Sequence, residues 1–177
     1  MKLTNSEHRI QRYIELPDYL TLAGMLGGIV SIFASLEGYP AIATLLICFS
    51  IFCDFFDGRV ARKMGREGDF GVQLDGFNDY LTSIVAVCAF GYSVGLQSPL
   101  AVCCMVIFCF GGALRLSRFA ITGTVDGYYE GLPVTCGLAI PGAYWLSQLM
   151  GWGIGWLEAL YAAGAFLMVS TIRVKKP

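Results

Sequence analysis

Charged residues and histidine are scarce in this sequence of 177 residues. Aspartate, glutamate, lysine and arginine together make up 14% of the chain, and His8 is its single histidine. His8 lies in a polar N-terminal segment with no partners at a metal-binding or catalytic spacing, so we interpret it as a solvated surface residue. The net charge of −1 points to no particular partner and does not favour nucleic acid.

Cysteine pairing motifs are also absent. The seven cysteines include no C-x-x-C pair, and their spacing does not favour a disulfide scaffold. Cysteine behaves as a small apolar residue when it lies in apolar surroundings. All seven occur within apolar runs, at Cys48, Cys53, Cys88, Cys103, Cys104, Cys109 and Cys136.

Long apolar runs are the main feature of the sequence. Apolar residues make up 56% of the chain and the mean hydropathy is +0.63, a composition typical of a membrane protein. Six runs are each close to the length that crosses a hydrocarbon core of ~30 Å. The sequence therefore predicts an all-α integral membrane protein, with one domain over 1–177 and a six-span bundle over 16–173. The predicted spans are 17–36, 41–63, 70–96, 100–121, 131–150 and 156–172.

The N-terminal segment over 1–15 differs from the rest of the chain because it is mostly polar. Ile10, Tyr13 and Ile14 recur there at helical spacing, with charged residues beside them. A helix with one apolar stripe and one charged face lies in the plane of a membrane surface. The segment is therefore predicted to form a juxtamembrane amphipathic helix.

All twelve basic residues fall on one side of the membrane in this six-span arrangement, and the three turns on the other side carry none. Cytoplasmic loops are rich in lysine and arginine. We therefore expect a multi-pass protein of the cell membrane, with both termini and the turn between spans two and three in the cytoplasm. The basic residues are Lys2, Arg9, Arg12, Arg59, Arg62, Lys63, Arg66, Arg115, Arg118, Arg173, Lys175 and Lys176.

Four aspartates are concentrated around the turn between the second and third spans. Asp54 and Asp57 fall on one face of the second predicted helix, and Asp75 and Asp79 fall on one face of the third. A short glycine-containing turn joins these helices, so they must be antiparallel. The helix ends that meet carry all four carboxylates, and the sequence predicts that they converge.

Carboxylates this close cannot all stay ionised unless cations lie among them. Magnesium binds through a few carboxylates together with substrate phosphates, and four acids suffice for a two-metal site that catalyses phosphoryl transfer. On the same face, Gly58 and Ala61 leave room for a phosphorylated ligand, and Arg62 is placed to bind a phosphate oxygen. The alternative is a solvated, salt-bridged surface in which basic residues neutralise the acids. Those residues are Arg59, Arg62, Lys63 and Arg66.

The spacing of these residues resembles the signature of the CDP-alcohol phosphatidyltransferase family. All eight fixed positions match, in the pattern D-x2-DG-x2-AR-x8-G-x3-D-x3-D over 54–79. The resemblance implies that Asp54, Asp57 and Asp75 bind two divalent cations, Mg2+ or Mn2+, and that Asp79 is the general base and also contacts metal. The residues implied for CDP binding are Asp54, Asp57, Gly58, Ala61, Arg62, Gly71 and Asp75.

Other stretches resemble the same family. Residues 17–21, PDYLT, resemble the opening of its first span, with Asp18 where the family often has Asn. Residues 115–119, RLSRF, and 128–133, YYEGLP, resemble its phosphatidylserine synthase branch. That branch transfers a phosphatidyl group from a CDP-linked lipid to L-serine. Both of these later stretches lie on the same side of the membrane as the four aspartates in the predicted topology.

Two arginines are candidates for the acceptor site. The carboxylate of serine must be matched by a fixed cation in a partly dry cavity, and the planar fork of arginine binds a carboxylate through two hydrogen bonds. Arg115 and Arg118 lie near the cytoplasmic end of the fourth predicted span, three residues apart, so both are expected to face the hairpin. The alternative is that both arginines only mark the end of a span.

The resemblance implies an enzyme of phospholipid biosynthesis, similar to CDP-diacylglycerol–serine O-phosphatidyltransferase, that releases CMP. Its lipid substrate is diacyl or archaeal ether, and the family is commonly homodimeric, so we expect a homodimer in a lipid bilayer. Two alternatives stay open. The first is a reaction of the same family in which the acceptor is glycerol phosphate or inositol phosphate. The second, outside the family, is a cation transporter whose function depends on the four intramembrane acids.

Overall fold

Helices make up nearly all of the regular structure in the computed structural model, which describes residues 16–64, 69–123 and 128–175, with side chains for 17–60, 70–123 and 131–172. The elements in chain order are α1 (Leu16–Leu36), α2 (Pro40–Met64), α3 (Asp69–Tyr80), a π-helical segment (Leu81–Ala86), α4 (Val87–Ser93), α5 (Pro99–Thr122), β1 (Tyr128–Glu130), a 3-10 turn (Val134–Leu138), α6 (Ala139–Met150), α7 (Leu157–Val169) and β2 (Arg173–Lys175). The stretch from α3 through the π-helical segment to α4 is one unbroken rod, and the 3-10 turn leads into α6. The described residues therefore form six helical rods.

Three of these rods are long and apolar enough to cross a membrane by length and composition. They are Pro17–Leu36, Pro40–Val60 and Pro99–Thr122, and the shorter α7 is also apolar. The structure confirms a helical fold in which these three rods are long and apolar enough to span a membrane. The count of six spans stays a prediction. The antiparallel pair of β1 and β2 adds two three-residue strands to the predicted all-α fold. The predicted juxtamembrane helix over 1–15 lies outside the described residues.

Successive rods run in opposite directions, which separates two ends of the molecule. The turns after α1, α4 and α6 carry no lysine or arginine and lie at one end, with the exposed Trp145, Trp152 and Trp156. At this tryptophan end, Trp145 Nε1 donates a 2.9 Å hydrogen bond to Thr44 Oγ1 and joins α6 to α2. Tryptophan is enriched where a membrane meets water. The opposite end, called the acidic end, carries Asp54, Asp57, Asp75 and Asp79.

α1 packs closely against α2 and the π-helical segment because glycines face these partners. A Cβ at Gly24 would lie 3.2 Å from the carbonyl oxygen of Ser50, and a Cβ at Gly28 would lie 2.5 Å from Thr82 Oγ1. Glycines four residues apart permit such close helix approach in membrane proteins. The contact brings the first turns of α1 alongside the acids of α2.

The centre of the bundle lies where the π-helical segment and α4 pack against α5 and α7. Phe108 and Tyr161 are almost fully buried and pack edge to face, with ring centroids 5.3 Å apart. The Tyr161 hydroxyl donates a 2.7 Å hydrogen bond to the carbonyl oxygen of Val87, the first residue of α4. This bond anchors the rod just beyond its π-helical segment, and so helps to position the preceding turns that carry acids.

Candidate active site at the acidic end

Three aspartates from two helices meet at the acidic end. Asp54 and Asp57 lie one turn apart on α2, and Asp75 lies in the second turn of α3. One carboxylate oxygen from each lies within 4.8 Å of the other two. Asp57 is buried, and the other two are half-buried. The structure therefore brings together three of the four acids whose convergence the helical spacing predicts.

Asp79 lies one turn beyond Asp75 on the same face of α3. Its carboxylate interacts electrostatically with Asp54, with Asp75 and with Arg115 on α5. It is not one of the three acids that share the 4.8 Å cluster among the described residues. The charge of Asp79 is thus coupled to the acid cluster and to a cation on the neighbouring helix.

The cluster has the donor type and the spacing that a hard divalent cation needs. Mg2+ and Mn2+ both prefer oxygen ligands, and carboxylates are their usual protein ligands. Without a cation, two ionised carboxylates at this separation would repel by about 3–4 kcal/mol at an effective dielectric constant of about 20. The guanidinium of Arg59 lies over the Phe55 ring instead, 3.9 Å from its centroid. The other three basic residues that could neutralise the acids are Arg62, Lys63 and Arg66. Their side chains lie outside the described part of the chain.

α1 contributes two side chains to this site. The hydroxyl of Thr21 donates a 2.5 Å hydrogen bond to Asp57 Oδ2, and Thr21 is 3% exposed. Asp18 is also buried and interacts electrostatically with Asp57, and its Oδ1 would lie 2.8 Å from a Cβ placed on Gly71. The sequence carried only one signal for these positions, the resemblance of PDYLT to a family motif, and it assigned them no role.

Four residues predicted to bind CDP lie outside the cluster, on the helices that carry it: Gly58, Ala61, Arg62 and Gly71. Asp18 closes one side of Gly71, whereas a Cβ on Gly58 would meet no described atom within 4 Å. The backbone of Ala61 and Arg62 continues α2 on the face of Gly58, and both side chains lie outside the described part of the chain. Open space beside Gly58 leaves room for a ligand next to the acids.

A cavity of about 300 Å³ adjoins the acids between α3 and α5. Asp75 and Asp79 line it from α3, Ser117 and Phe119 line it from α5, and most of the remaining lining is apolar. Arg115 is 6% exposed, and its guanidinium lies 5.4 Å from the centroid of the Phe119 ring. Because Arg115 also interacts with Asp79, it places a buried positive charge beside the acid that lines the cavity.

Arg118, three residues further along α5, belongs to a different contact. Its guanidinium donates hydrogen bonds of 3.2 Å to the carbonyl oxygens of Met168, Val169 and Ser170, at the C-terminal end of α7. A cation suits that position because the last carbonyls of a helix lack intrahelical partners and carry partial negative charge. The structure thus places Arg115 at the acids and Arg118 at the end of α7.

The EGLP segment, residues 130–133, closes the same end of the molecule. The backbone N–H of Gly131 donates to the carbonyl oxygen of Ile172 at 2.8 Å, and that of Leu132 donates to Leu167 at 3.0 Å. Gly131 has φ of +81°, and a Cβ there would collide with the carbonyl oxygen of Met168. The segment therefore ties the loop after α5 to the end of α7.

We expect Arg118→Lys to lower the stability of the fold. The single ammonium of lysine cannot reproduce a planar fork that donates to three carbonyls, so the loss is about 1 kcal/mol or more. In a domain of this size, that corresponds to a decrease of about 2–4 °C in melting temperature. Thermal unfolding in detergent measures it, with Leu114→Ala on the exposed side of α5 as the control. An unchanged melting temperature would contradict the capping role.

The chain is similar in sequence to known proteins. The family model of CDP-alcohol phosphatidyltransferases matches residues 14–170, which is nearly the whole chain. Proteins of similar sequence include a CDP-diacylglycerol–serine O-phosphatidyltransferase of Methanocaldococcus jannaschii, which is 38% identical over 128 residues. That match covers 72% of this chain and 59% of the archaeal protein.

Two further relatives show the same similarity. A CDP-diacylglycerol–serine O-phosphatidyltransferase of Saccharomyces cerevisiae is 31% identical over 157 residues, covering 78% of this chain and 57% of that protein. An archaetidylserine synthase of Methanothermobacter thermautotrophicus is 29% identical over 179 residues, covering 96% of this chain and 71% of that protein. The match therefore spans less than two thirds of the length of the proteins from M. jannaschii and S. cerevisiae.

Proposed function

The chain belongs to the CDP-alcohol phosphatidyltransferase family, and on that premise we propose that it transfers a phosphatidyl or archaetidyl group from a CDP-linked lipid to L-serine, with release of CMP. The observation that carries the proposal is the meeting of Asp54, Asp57 and Asp75 within 4.8 Å, beside a cavity that Asp79 also lines. The names of the similar proteins, which specify serine transfer or archaetidylserine synthesis, support serine as the acceptor. The product is a phospholipid, so the reaction belongs to phospholipid biosynthesis.

Asp54, Asp57 and Asp75 would hold divalent cations, Mg2+ or Mn2+ and two per site. Asp79, one turn beyond Asp75 on α3, is proposed to contact metal as well. Bound cations would neutralise the pyrophosphate of the CDP-lipid and the charge that develops on the leaving group. Thr21 orients Asp57, because a short donated hydrogen bond restricts the position of a carboxylate.

The CDP group is proposed to lie along the face of α2 and α3 that carries the signature. The space beside Gly58 is open among the described residues. Arg62 follows one turn later on α2 and would bind a phosphate oxygen through its guanidinium fork. The residues proposed to contact CDP are Asp54, Asp57, Gly58, Ala61, Arg62, Gly71 and Asp75.

Asp79 is proposed as the general base, because it lines the cavity and lies beside the acid cluster. Asp79 takes the proton of the serine hydroxyl as the serine oxygen forms a bond to the lipid-linked phosphorus. The bond from that phosphorus to the bridging oxygen of CMP breaks, and CMP leaves with the electron pair. The proton remains on Asp79 and is later lost to solvent.

Arg115 is the stronger of the two candidates for the serine carboxylate. It is buried and interacts electrostatically with Asp79, and we propose that a serine bound to it would hold its hydroxyl near the base. The guanidinium of Arg118 donates to three carbonyl oxygens at the end of α7, which supports a structural role. We therefore assign the acceptor carboxylate to Arg115.

Arg115→Lys is expected to raise the serine concentration that gives half-maximal rate by about tenfold to a hundredfold. A charge-assisted pair of this kind contributes about 1.5–3 kcal/mol, and lysine cannot form its two parallel hydrogen bonds. Affinity for the CDP-lipid is expected to change little. Initial rates of CMP release at varied serine concentration measure the effect. Arg118→Lys is the matched control, and equal serine saturation in wild type and Arg115→Lys would rule out Arg115 as the acceptor ligand.

We also propose six membrane spans and a homodimer in the cell membrane, with the acidic end and both termini in the cytoplasm. The alternation of the rods and the absence of lysine and arginine from the turns at the tryptophan end support this orientation. The cavity lies between two rods, and Phe77, which lines it, is 66% exposed. Lipid tails would therefore reach the acids sideways from the bilayer.

An acceptor screen tests the proposed function. The purified chain is given a CDP-linked diacyl or ether lipid, and CMP release is measured with serine, glycerol phosphate or inositol phosphate. We expect release that depends on serine. Release with only a phosphorylated acceptor would assign another reaction of the family, and no release with any acceptor would favour cation transport. α2 and α3 are continuous through the acids, unlike the discontinuous spans that line transporter sites, so the transferase is favoured.

A further inference from the structure

A chain of buried polar side chains leads from Asp54 into the helix bundle. Asn78 Nδ2 donates to Asp54 Oδ1 at 3.4 Å, and Asn78 Oδ1 lies 3.3 Å from Thr82 Oγ1 and 3.5 Å from Ser50 Oγ. The two hydroxyl oxygens lie 2.8 Å apart, so one hydroxyl donates to the other and the second donates to Asn78 Oδ1. None of Asn78, Thr82 and Ser50 is more than 1% exposed. The three side chains form a continuous network that ends on a proposed metal ligand.

Packing alone does not account for an amide at position 78. Burial of an amide in apolar surroundings is unfavourable unless its hydrogen bonds are made, and an apolar side chain of similar volume avoids that penalty. The facing helix also leaves room for the polar groups. A Cβ at Gly24 would lie 3.4 Å from Asn78 Nδ2, and a Cβ at Gly28 would lie 2.5 Å from Thr82 Oγ1. The presence of Asn78 and its hydrogen bonds therefore needs an explanation other than packing.

The network determines which way the Asn78 amide points. With its NH2 group toward Asp54 and its oxygen toward the two hydroxyls, each group has a partner of the opposite kind. In the reverse orientation, the amide oxygen would face a carboxylate oxygen, and two acceptors without a proton between them repel. The carboxylate of Asp54 thus selects this orientation, and the hydroxyls of Thr82 and Ser50 help to hold the amide oxygen in place.

We propose that Asn78 is a positioning residue for the metal centre, an inference that rests on the function proposed above. Its N–H holds Asp54 in the orientation that brings a carboxylate oxygen within 4.8 Å of those of Asp57 and Asp75. A neutral donor suits this task because it orients the carboxylate without adding negative charge to the cluster. Groups that orient a metal ligand in this way commonly change metal affinity by about 10–100-fold.

Titration of the purified chain with Mn2+ tests this role without relying on turnover. Electron paramagnetic resonance of free Mn2+ reports the affinity, and thermal unfolding without metal reports the stability. Asn78→Leu keeps the number and branching of the side-chain heavy atoms and removes the donor, so Mn2+ affinity is expected to fall about tenfold, with an equal or higher metal-free melting temperature. Thr82→Val keeps the donor but removes one group that orients it, and its expected loss is smaller, about threefold.

Ser83→Ala provides the matched control. It removes a buried hydroxyl from the same rod, and that hydroxyl has no hydrogen-bond partner in the described part of the chain. Its Mn2+ affinity and its melting temperature are therefore expected to stay close to those of the wild type.

The outcomes separate this inference from the function on which it rests. A wild-type chain that binds no Mn2+ would overturn the proposed metal centre. Binding by the wild type with equal affinity in Asn78→Leu would overturn the role of Asn78 alone. A loss of affinity together with a large fall in the metal-free melting temperature would assign Asn78 a merely structural role. If Asn78→Leu does not fold, wild-type affinity in Thr82→Val would likewise reject the inference.

Discussion

Asp57→Asn is expected to reduce the rate of CMP release by about a thousandfold or more, which corresponds to about 4 kcal/mol of transition-state stabilisation. Asp57 is buried and its carboxylate oxygen lies within 4.8 Å of those of Asp54 and Asp75. Asparagine supplies neither the negative charge nor the second oxygen that a divalent cation takes from a carboxylate. Initial rates of CMP release from CDP-lipid at saturating serine measure the loss.

Removal of metal is expected to have the same effect on the wild type. Excess chelator should stop CMP release, and added Mg2+ or Mn2+ should restore it. Glu37→Gln is the control for Asp57→Asn, since Glu37 is an exposed acid in the turn after α1, at the tryptophan end. Full turnover of the wild type in excess chelator would contradict the metal centre. A fully active Asp57→Asn variant would remove Asp57 from it.

Asp79→Asn is expected to lower the turnover number by about 10²–10⁴-fold while the affinity for CDP-lipid stays within a few-fold. An amide has nearly the same shape as the carboxylate but cannot take the proton of the serine hydroxyl. Asp79 lines the cavity and stands outside the three-oxygen cluster, so its charge is expected to matter less for metal binding than that of Asp57. Turnover is measured at saturating substrates, and CDP-lipid binding is measured at equilibrium without serine.

The control for Asp79→Asn is Glu158→Gln. Glu158 lies on α7 at the tryptophan end, where its Oε1 accepts a 2.9 Å hydrogen bond from Ser98. Its turnover and lipid affinity are expected to match the wild type. A near-normal rate combined with weak CDP-lipid binding in Asp79→Asn would assign Asp79 to ligand binding and leave the general base to be found elsewhere.

The boundaries of several helices were predictable from the apolar runs. The spans predicted over 17–36 and 100–121 correspond to α1 and α5, which begin and end within one residue of those limits. The span predicted over 131–150 is different, because helix begins only at the 3-10 turn from Val134. Gly131 and Leu132 instead hydrogen-bond to the segment that ends α7. An apolar run does not reveal a backbone contact with a distant part of the chain.

The meeting of Asp54, Asp57 and Asp75 follows from the sequence by itself. Asp54 and Asp57 are one helical turn apart, and so are Asp75 and Asp79, and the turn between the two helices is short. Helical periodicity and chain connectivity then leave few ways to keep the two acidic faces apart. The same spacing produced the family resemblance, which the family match over 14–170 confirms.

Only the tertiary structure separated the positions of Arg115 and Arg118. Residues three apart on a helix share one side of it, so the sequence placed both at the acids. α5 packs between α3 and α7, and Arg115 interacts electrostatically with Asp79 whereas Arg118 donates to the last carbonyls of α7. Which neighbour each side chain reaches depends on the rotation of α5 about its axis. The sequence periodicity of α5 does not determine that rotation.

The contacts that orient the acids could not be predicted from the sequence, for the same reason. Thr21 reaches Asp57 across 36 positions, and Asn78 reaches Asp54 across 24. The glycines of α1 let it approach closely enough to place Thr21 on the hairpin. Local spacing determines which residues share the face of one helix, and the packing of helices against each other decides which side chains from different faces touch.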